Sequence, residues 1–558
     1  MSERAVVIGA GVGGLSAAAA LAAEGVEVTL LERQPTPGGK MREVVAGDAR
    51  LDAGPTVFTM RWIFDELFER AGARLDDYLT LTPVDRLARH GWTDGARFDL
   101  YADEARSVEA VSDFAGPEEG RRFRAFRRRA REIYDVLERP YIADQKPSAL
   151  SLVSRVGLGR IGALWNTRPF RSMAAQLARD LHDPKLRQLF GRYATYCGSS
   201  PYAAPATLML VAHVELDGVW LVGGGMHQVA RAVERLGAEK GVAFRYGAHV
   251  EEIEVEHGRV SGVRLAGGER LPARTVICNG DVGAVADGLF GEGVRRAVPA
   301  VPRDQRSISA VVWSLKAAPA GFPLIRHTVF FDAGDYAREF DALFRERRTP
   351  DAPTAYVCAQ DRGEDPLDGS GPERLHIHVN APADGDIGGP DEKEIARCAT
   401  RSFELMRRCG LELETEAQVL TTPTAFESLF PGTGGALFGR ATHGPLGAFG
   451  RPAARTRVPG LYVAGGSTHP GAGVPMAAMS GRLFDEAVPP GGYLWWYVDA
   501  VSDDGDRALT ILAFVGSVFS PYYAWAGRAD PENHLCLNVC LYGPKARWAM
   551  TERPRWTG

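Results

Sequence analysis

The sequence lacks most of the features that would assign it to a specialised class of protein. Its seven cysteines form no Cys-x-x-Cys pair and no even secretory framework, so reduced thiols in the cytoplasm are expected. The net charge of only -5 gives no general attraction to nucleic acid, and no nucleic-acid partner is predicted. With 45% hydrophobic and 24% charged residues over 558 positions, the chain is expected to form two or three globular domains.

Long hydrophobic runs are also scarce. The N-terminus does not have the basic, apolar and cleavage regions of a signal peptide, because its first apolar run leads at once into glycines. One uncharged stretch, 508–527, is long enough to span a bilayer, but Gly516 and Pro521 interrupt it. The sequence therefore predicts neither an exported protein nor a transmembrane helix.

Glycines, in contrast, are concentrated near the start of the chain, in a pattern typical of a dinucleotide-binding unit. A short buried strand, Ala5–Ile8, leads into the run Gly9–Gly14. An alanine-rich helix from Leu15 to about Glu24 and a second strand over residues 26–31 follow. This order of elements is expected to hold a pyrophosphate at the N-terminus of the helix.

Four residues of this unit have predicted roles. Gly9 permits a tight turn, Gly11 lets the backbone approach a pyrophosphate, and Gly14 allows the helix to pack closely on the strand. Glu32 follows the second strand, where its carboxylate is placed to accept hydrogen bonds from the adenosine ribose hydroxyls. The unit by itself is compatible with either NAD or FAD.

Two further glycine-rich regions favour FAD. The stretches 37–40 and 52–56 contain glycines that let a loop lie against a long extended ligand, although plain turns would contain them too. Residues 460–481 have the pattern of a strand, a glycine-rich loop and a helix that begins near Val474, whose N-terminus would stabilise the electron-rich edge of a reduced flavin. The two regions are expected to meet around one extended cofactor.

Taken together, these motifs resemble those of the phytoene desaturase family of FAD-dependent carotenoid desaturases and isomerases, within the flavin amine-oxidase-like group, over nearly all of residues 1–483. The resemblance implies an α/β fold with a Rossmann-type FAD-binding domain, like that of amine oxidases and glutathione reductase, and a mixed α+β substrate domain. It also implies FAD contacts by Gly9, Gly11, Gly14, Glu32, Gly39, Lys40, Thr56, Val250, Gly465, Gly466, Val474 and Met476.

Residues 52–68 and 189–233 look most like those of hydroxycarotenoid 3,4-desaturases, also called methoxyneurosporene dehydrogenases. This resemblance implies an acyclic carotenoid, hydroxylated at one end, that loses two hydrogens at C3–C4, with oxygen or a quinone as electron acceptor. A flavin-dependent carotenoid isomerase of the same fold, a bifunctional desaturase–hydratase fusion and a non-enzymatic carotenoid carrier are the alternatives.

The same resemblance implies how the chain is divided. FAD-binding parts are expected over residues 1–75, 220–290 and 455–483. Substrate-binding and membrane-facing parts are expected over 76–219 and 291–454. A separate C-terminal piece is expected over 484–558.

No catalytic pair is evident from motif spacing. Hydride transfer from an allylic C–H bond to a flavin needs mainly positioning, together with a place for a proton. His213 and Glu215 are candidates for an acid–base pair on one face of a predicted strand, and Arg192 or Tyr193 for contact with the substrate hydroxyl. A purely structural role for a buried histidine beside an acid is the competing interpretation.

Two basic segments lie in the middle of the chain. Residues 145–179 contain six Lys or Arg and no acid, interleaved with apolar and aromatic residues, which favours a peripheral position on the anionic cytoplasmic membrane. Helices packed on the core with snorkelling arginines are the alternative. The arginine-rich run 120–132 has apolar residues at helical spacing and predicts an amphipathic helix that begins near Pro117.

The segment from about Phe484 onward resembles the N-terminal part of carotenoid 1,2-hydratase, also called hydroxyneurosporene synthase, whose strands close into a lipocalin-like barrel. About 75 residues are too few to close such a barrel, so an incomplete, β-rich, truncated fragment without hydratase activity is expected, from a fusion or a frameshift.

Alternating residues predict two strands in this segment, over 509–515 and 534–540. His534, Cys536, Asn538 and Cys540 would lie on one face. Because alternate residues of a strand are about 6.6 Å apart, they are too widely spaced for one tetrahedral ion, and no metal is predicted.

Overall fold

The computed structural model describes residues 4–143, 167–363, 371–482, 494–502, 506–516, 520–525, 534–543 and 547–553. The chain divides into two compact units, Met1–Leu483 and Phe484–Gly558. Each unit has β-sheets of its own.

A five-stranded parallel sheet forms the centre of the larger unit. Its strands, in spatial order, are Leu461–Val463, Thr275–Cys278, Arg4–Ile8, Glu27–Glu32 and Ala243–Tyr246. All neighbouring pairs are parallel, so the loops that follow the strands meet at one edge of the sheet. The predicted Rossmann-type α/β fold is confirmed.

The helix Val12–Ala23 begins earlier than predicted, because the glycines of the loop already form its first turn. These glycines allow a close approach: a Cβ on Gly13 would lie 2.9 Å from both the Ala477 carbonyl oxygen and the Gly465 nitrogen. The helix Val474–Ser480 therefore packs directly on the first turn of Val12–Ala23. This contact joins the two ends of the larger unit.

The larger unit also contains a seven-stranded mixed sheet, with five strands from its second half and two from its first. In spatial order its strands are Leu411–Thr421, Ser309–Gly321, Glu373–Ala381, Ala355–Ala359, His327–Phe331, Arg86–Trp92 and Arg97–Tyr101. The helix Glu392–Arg408 covers part of it, since Ile395 and Leu405 share a buried cluster with Trp313 and Ile377.

The remaining elements of the larger unit are shorter or connect these layers. Further strands are Glu43–Ala46, Ala49–Asp52, Leu81–Pro83, Trp220–Val222, Val250–Glu256, Arg259–Leu265 and Arg270–Pro272. Further α-helices are Trp62–Arg70, Glu104–Ala115, Pro117–Leu137, Met173–Asp180, Pro184–Gly191, Leu210–Asp217, His227–Glu239, Val282–Ala286, Ala337–Asp341 and Pro423–Leu429.

The arginine-rich run is part of the helix Pro117–Leu137, as predicted. Its apolar residues Phe123 and Phe126 are buried against Phe190, with ring centroids 5.6 and 4.7 Å apart. Of the basic segment 145–179, residues 145–166 lie outside the described residues, and the helix Met173–Asp180 covers much of the rest.

The smaller unit contains a four-stranded antiparallel sheet whose strands pair in chain order. They are Leu494–Val501, Ala508–Val515, Leu535–Tyr542 and Arg547–Arg553. Both predicted strands are confirmed, and the β-rich character of the segment with them. In the part of the chain that the structure describes, no helix has both the length and the apolar character needed to cross a membrane.

Candidate active site

Gly11 and Gly473, from the two ends of the larger unit, line one cavity of about 1480 Å³. Its volume exceeds the range of about 300–1,000 Å³ that is usual for small-molecule pockets. The cavity is therefore large enough for an extended cofactor together with a second long ligand.

Glycine-rich loops and the residues beside them form one wall, here called the loop part. Eleven of the twelve predicted FAD contacts line the cavity: Gly9, Gly11, Glu32, Gly39, Lys40, Thr56, Val250, Gly465, Gly466, Val474 and Met476. Gly14 does not line it. A Cβ on Gly14 would overlap the carbonyl oxygen of Gly9, so this glycine allows the tight packing of the loop beneath the cavity wall.

Glu32 lies at the end of its strand with its carboxylate anchored to the backbone. Oε2 accepts a hydrogen bond of 2.7 Å from the Ala10 N–H, and Oε1 accepts one of 2.8 Å from the Gln34 N–H. A carboxylate has about four lone-pair positions, so each oxygen can accept one more hydrogen bond. The side chain therefore both fixes the glycine loop and presents an acceptor to the cavity.

Asn279 joins the first and last glycine loops, a role that sequence reasoning missed. Its Nδ2 donates to the Ala464 carbonyl at 3.0 Å, and a Cβ on Gly11 would lie 2.6 Å from its Oδ1. Asp281, which had no predicted role, caps the helix Val282–Ala286, because its Oδ1 accepts from the Gly283 N–H at 2.9 Å. The only available signal was that both residues follow within three positions of the end of a buried strand, Thr275–Cys278.

Two cations lie beside these loops, Lys40 half-buried and Arg451 buried. Lys40 donates to the Leu437 carbonyl at 2.8 Å; burial lowers its pKa, and the charge of Asp281 opposes that shift. Arg451 donates to the carbonyls of Phe438, Gly466 and Arg440, each at 2.8 Å, and so links the cavity loops. Nothing in the sequence pattern marks Arg451, because its partners are backbone atoms.

A second wall contains four polar side chains, Arg192, Tyr196, Glu215 and Tyr356, here called the polar cluster. Arg192 Nη1 donates to the Tyr196 hydroxyl at 3.0 Å, and the guanidinium also lies 5.3 Å from the ring centroid of Tyr356. The hydroxyls of Tyr356 and Thr56 are 2.7 Å apart. Thr56 therefore connects the polar cluster with the loop part.

Neighbours of the polar cluster complete a buried hydrogen-bonded network. The Tyr193 hydroxyl donates to Glu215 Oε1 at 3.0 Å, and His327 Nδ1 lies 2.7 Å from the Tyr356 hydroxyl. Burial lowers the pKa of His327 to about 3, so its imidazole is neutral at neutral pH. Tyr193 itself does not line the main cavity.

The predicted acid–base pair of His213 and Glu215 on a strand is wrong. Both residues lie in the helix Leu210–Asp217, where positions two apart face different directions. Ala212, Glu215 and Leu216 are buried at helical spacing, which the short apolar pattern did not distinguish from a strand. His213 packs on Tyr134, with ring centroids 5.0 Å apart, and does not line the cavity.

Comparison with known families decides the class of the protein. The model of the flavin containing amine oxidoreductase family matches residues 12–484. The chain belongs to this family. A second model, that of the carotenoid hydratase CrtC, matches residues 511–557, which lie in the smaller unit.

Curated relatives cover most of the chain. It is 54% identical to a hydroxyneurosporene desaturase of Rubrivivax gelatinosus over 87% of this chain and 93% of that protein. It is 44% identical to a hydroxyneurosporene desaturase of Cereibacter sphaeroides over 87% of this chain and 97% of that protein.

Among solved structures, an oxidoreductase from Methanosarcina mazei matches 86% of this chain and 99% of its own, at 16% identity and a TM-score of 0.55. The low identity means that this likeness supports the fold alone.

FAD is the cofactor of this flavoprotein, and the residues of the loop part fit it. Gly11 leaves space where a side chain would meet Asn279, Glu32 has free lone pairs, and the loops after three parallel strands meet at one edge. Bound FAD supplies a two-electron oxidant that takes up a hydride from carbon. The chain itself must bind, orient and desolvate the substrate.

Proposed function

We propose that this protein is an FAD-dependent desaturase that removes two hydrogens from C3–C4 of an acyclic 1-hydroxycarotenoid. The observation that carries the proposal is the cavity, in which the loop part and a long apolar wall face the same space. The 54% identity to a hydroxyneurosporene desaturase supports the choice of substrate. The reaction is an oxidation of a CH–CH bond.

In this proposal the loop part binds the cofactor. Gly9 and Gly11 lie along the pyrophosphate, Glu32 accepts from the ribose hydroxyls, and Val250 borders the adenine. The remaining contacts near the flavin and its ribityl chain come from Gly39, Lys40, Thr56, Gly465, Gly466, Val474 and Met476. Their common position on the cavity wall supports this assignment.

The apolar wall binds the polyene. Leu208, Val211, Val214 and Phe449 are among its side chains. Each apolar side chain that a bound polyene removes from water stabilises the complex by up to about 1.5–3 kcal/mol. The same contacts exclude water and hold the C–H bonds in a fixed orientation, which is the main requirement of hydride transfer.

We also propose that the substrate enters from a membrane surface. Phe170 and Leu446 line the cavity, yet 70% and 61% of their surfaces are exposed, so they mark where it opens. Exposed apolar side chains at an opening are suited to contact with lipid. The protein would then lie peripherally on the cytoplasmic membrane.

The test is incubation of the FAD-loaded protein with an acyclic 1-hydroxycarotenoid in lipid vesicles. Desaturation predicts a product lighter by two hydrogens and an absorption maximum at longer wavelength, because the conjugated system is extended. Assays under air, and under nitrogen with an added quinone, identify the electron acceptor. A flavin-loaded protein that leaves mass and spectrum unchanged would contradict the proposal.

Product mass also separates the two alternative reactions. A carotenoid isomerase changes the retention time of the polyene but not its mass. A bifunctional fusion, which the carotenoid hydratase match to residues 511–557 favours, adds the mass of one water to a carotenoid without a hydroxyl. We expect no water addition by this chain, because the four strands in the described part of the smaller unit are too few for a closed barrel.

A further inference from the structure

The polar cluster is unusual because it places a guanidinium and a carboxyl in the wall of a cavity that is otherwise mainly apolar. Arg192 belongs to the 3-10 helix Arg192–Cys197, Glu215 to the helix Leu210–Asp217, and Tyr356 to the strand Ala355–Ala359. Three separate elements therefore converge on one point. A wholly hydrocarbon ligand would leave these groups without partners of its own.

Glu215 provides the decisive detail. Only 7% of its surface is exposed, and its Oε1 accepts from Tyr193. Its Oε2 has no partner with hydrogen-bond geometry among the described residues, although the hydroxyl of Tyr196 lies close enough to the carboxyl to oppose the rise in its pKa. An unsatisfied buried acceptor costs about 1–3 kcal/mol. Buried polar atoms of this kind normally have a partner, and Glu215 is one of the residues that line the cavity.

The groups around Oε2 match an alcohol. A hydroxyl donates one hydrogen bond and accepts others, so it can donate to Glu215 and accept from Tyr196 or Arg192. Burial and the charge of Glu215 raise the pKa of Tyr196, which keeps its hydroxyl protonated. Burial also raises the pKa of Glu215, but a carboxyl retains acceptor lone pairs whether or not it is protonated.

A second, small cavity of about 10 Å³ lies behind the cluster and shares Arg192, Tyr196, Glu215 and Tyr356 with the main cavity. Its volume suits about one water molecule. A water there is the competing partner for Oε2, and the experiment must distinguish it from a ligand.

We infer that Arg192, Tyr196 and Glu215 form a subsite that binds the terminal hydroxyl of the polyene and selects hydroxylated carotenoids over hydrocarbon ones. The inference rests on the proposed function, since it assigns these three residues to the hydroxylated end of the proposed 1-hydroxycarotenoid substrate. Of the two residues predicted to contact the hydroxyl, Arg192 or Tyr193, it keeps Arg192 and leaves out Tyr193, because the hydroxyl of Tyr193 donates to Glu215.

The test compares kcat/KM for a 1-hydroxycarotenoid and for the same polyene without the hydroxyl. A site built to bond a hydroxyl rejects the analogue that lacks it by a large factor, so the wild-type ratio is expected to be about 10⁴–10⁵. Glu215→Leu and Tyr196→Phe should each lower the ratio at least tenfold. Glu215→Gln, which can still bond both Tyr193 and an alcohol, should keep most of it.

Glu119→Gln is the matched control. Glu119 is also a buried acid, 3% exposed, but it accepts from the backbone of His182 and Asp183 and does not line the cavity. Any loss of stability in this variant should lower the rates for both substrates together and leave their ratio unchanged. Melting temperatures of all variants identify those that fold poorly.

Equilibrium binding of each polyene can be measured by the quenching of protein fluorescence. The ratio of the two dissociation constants then gives the preference for the hydroxylated polyene independently of turnover. Equal binding of the two by the wild type would overturn the subsite while leaving desaturation intact. If none of the Glu215 and Tyr196 variants changed the ratio of kcat/KM between the two polyenes, Oε2 would be assigned to a water molecule. That result would also overturn the subsite. Preferential binding of the alcohol without any desaturation would support the subsite and contradict the proposed reaction instead.

Discussion

The loop part and the polar cluster line the same cavity but are built in opposite ways. The loop part presents mainly backbone, held by glycines and by a few anchoring side chains such as Asn279. The polar cluster presents side chains from elements far apart in the chain, such as Arg192 and Tyr356. A site that uses backbone leaves a sequence motif, whereas a site that uses converging side chains does not.

The largest effect is expected from breaking the loop part. In Gly14→Ala the new Cβ would overlap the Gly9 carbonyl oxygen and displace the loop. Overpacking of this kind costs about 1–3 kcal/mol of the free energy of unfolding. We expect purified protein with less than about a tenth of its FAD, measured by flavin absorbance, since the displaced loop would no longer present its backbone N–H groups to the pyrophosphate.

Gly267→Ala is the control for this change. Gly267 has ordinary backbone geometry and no atom within 4 Å of an added Cβ. Its flavin content and melting temperature should match the wild type. Equal flavin content in both variants would show that the loop does not set cofactor affinity.

An intermediate effect is expected when the pH is lowered, because acid protonates histidine side chains in the wall of the cavity. Burial lowers the pKa of His376 to about 3 and that of His378 to about 4, with the charge of Arg192 adding to the second shift. In the unfolded chain both have their ordinary pKa of about 6.5, so protons bind preferentially to the unfolded state below that pH.

The contribution of these two histidines to the free energy of unfolding should therefore be constant above pH 6.5. It should decrease as the pH falls from 6.5 toward 4. Each histidine accounts for up to about 3 kcal/mol at pH 4. Urea unfolding of His378→Phe should show a shallower fall than the wild type. His257→Gln, at an exposed position, serves as the control. If the free energy of unfolding fell equally with pH in the wild type and in both variants, the assignment of this fall to the buried histidines would be refuted.

The smallest effect is expected at the opening of the cavity. Replacing Phe170 and Leu446 together by serine removes exposed apolar surface. If each inserts partially into lipid, at about 1 kcal/mol, binding to anionic vesicles should weaken about tenfold or more, as measured by co-sedimentation. Leu420→Ser with Tyr202→Ser, which removes two large side chains that are 43% and 45% exposed and do not line the cavity, should leave binding unchanged.

Prediction from sequence succeeded where a local pattern determines a backbone conformation. The strand, glycine loop and helix at residues 4–23 and the helix that begins at Val474 are present as expected. It failed at His213 and Glu215, because eight residues with apolar positions fit a strand and a helix equally well. It missed Arg451, whose partners are carbonyl oxygens that any sequence provides.

The amino-acid sequence by itself determined the family and the cofactor, and it predicted residues that line the cavity, because glycines at fixed spacing impose backbone shapes that few other folds need. Only the tertiary structure decided which polar side chains line the cavity together, and that Glu215 Oε2 has no hydrogen-bond partner within the described residues. The physical reason is that burial and hydrogen bonding depend on contacts between distant segments, which no local pattern records.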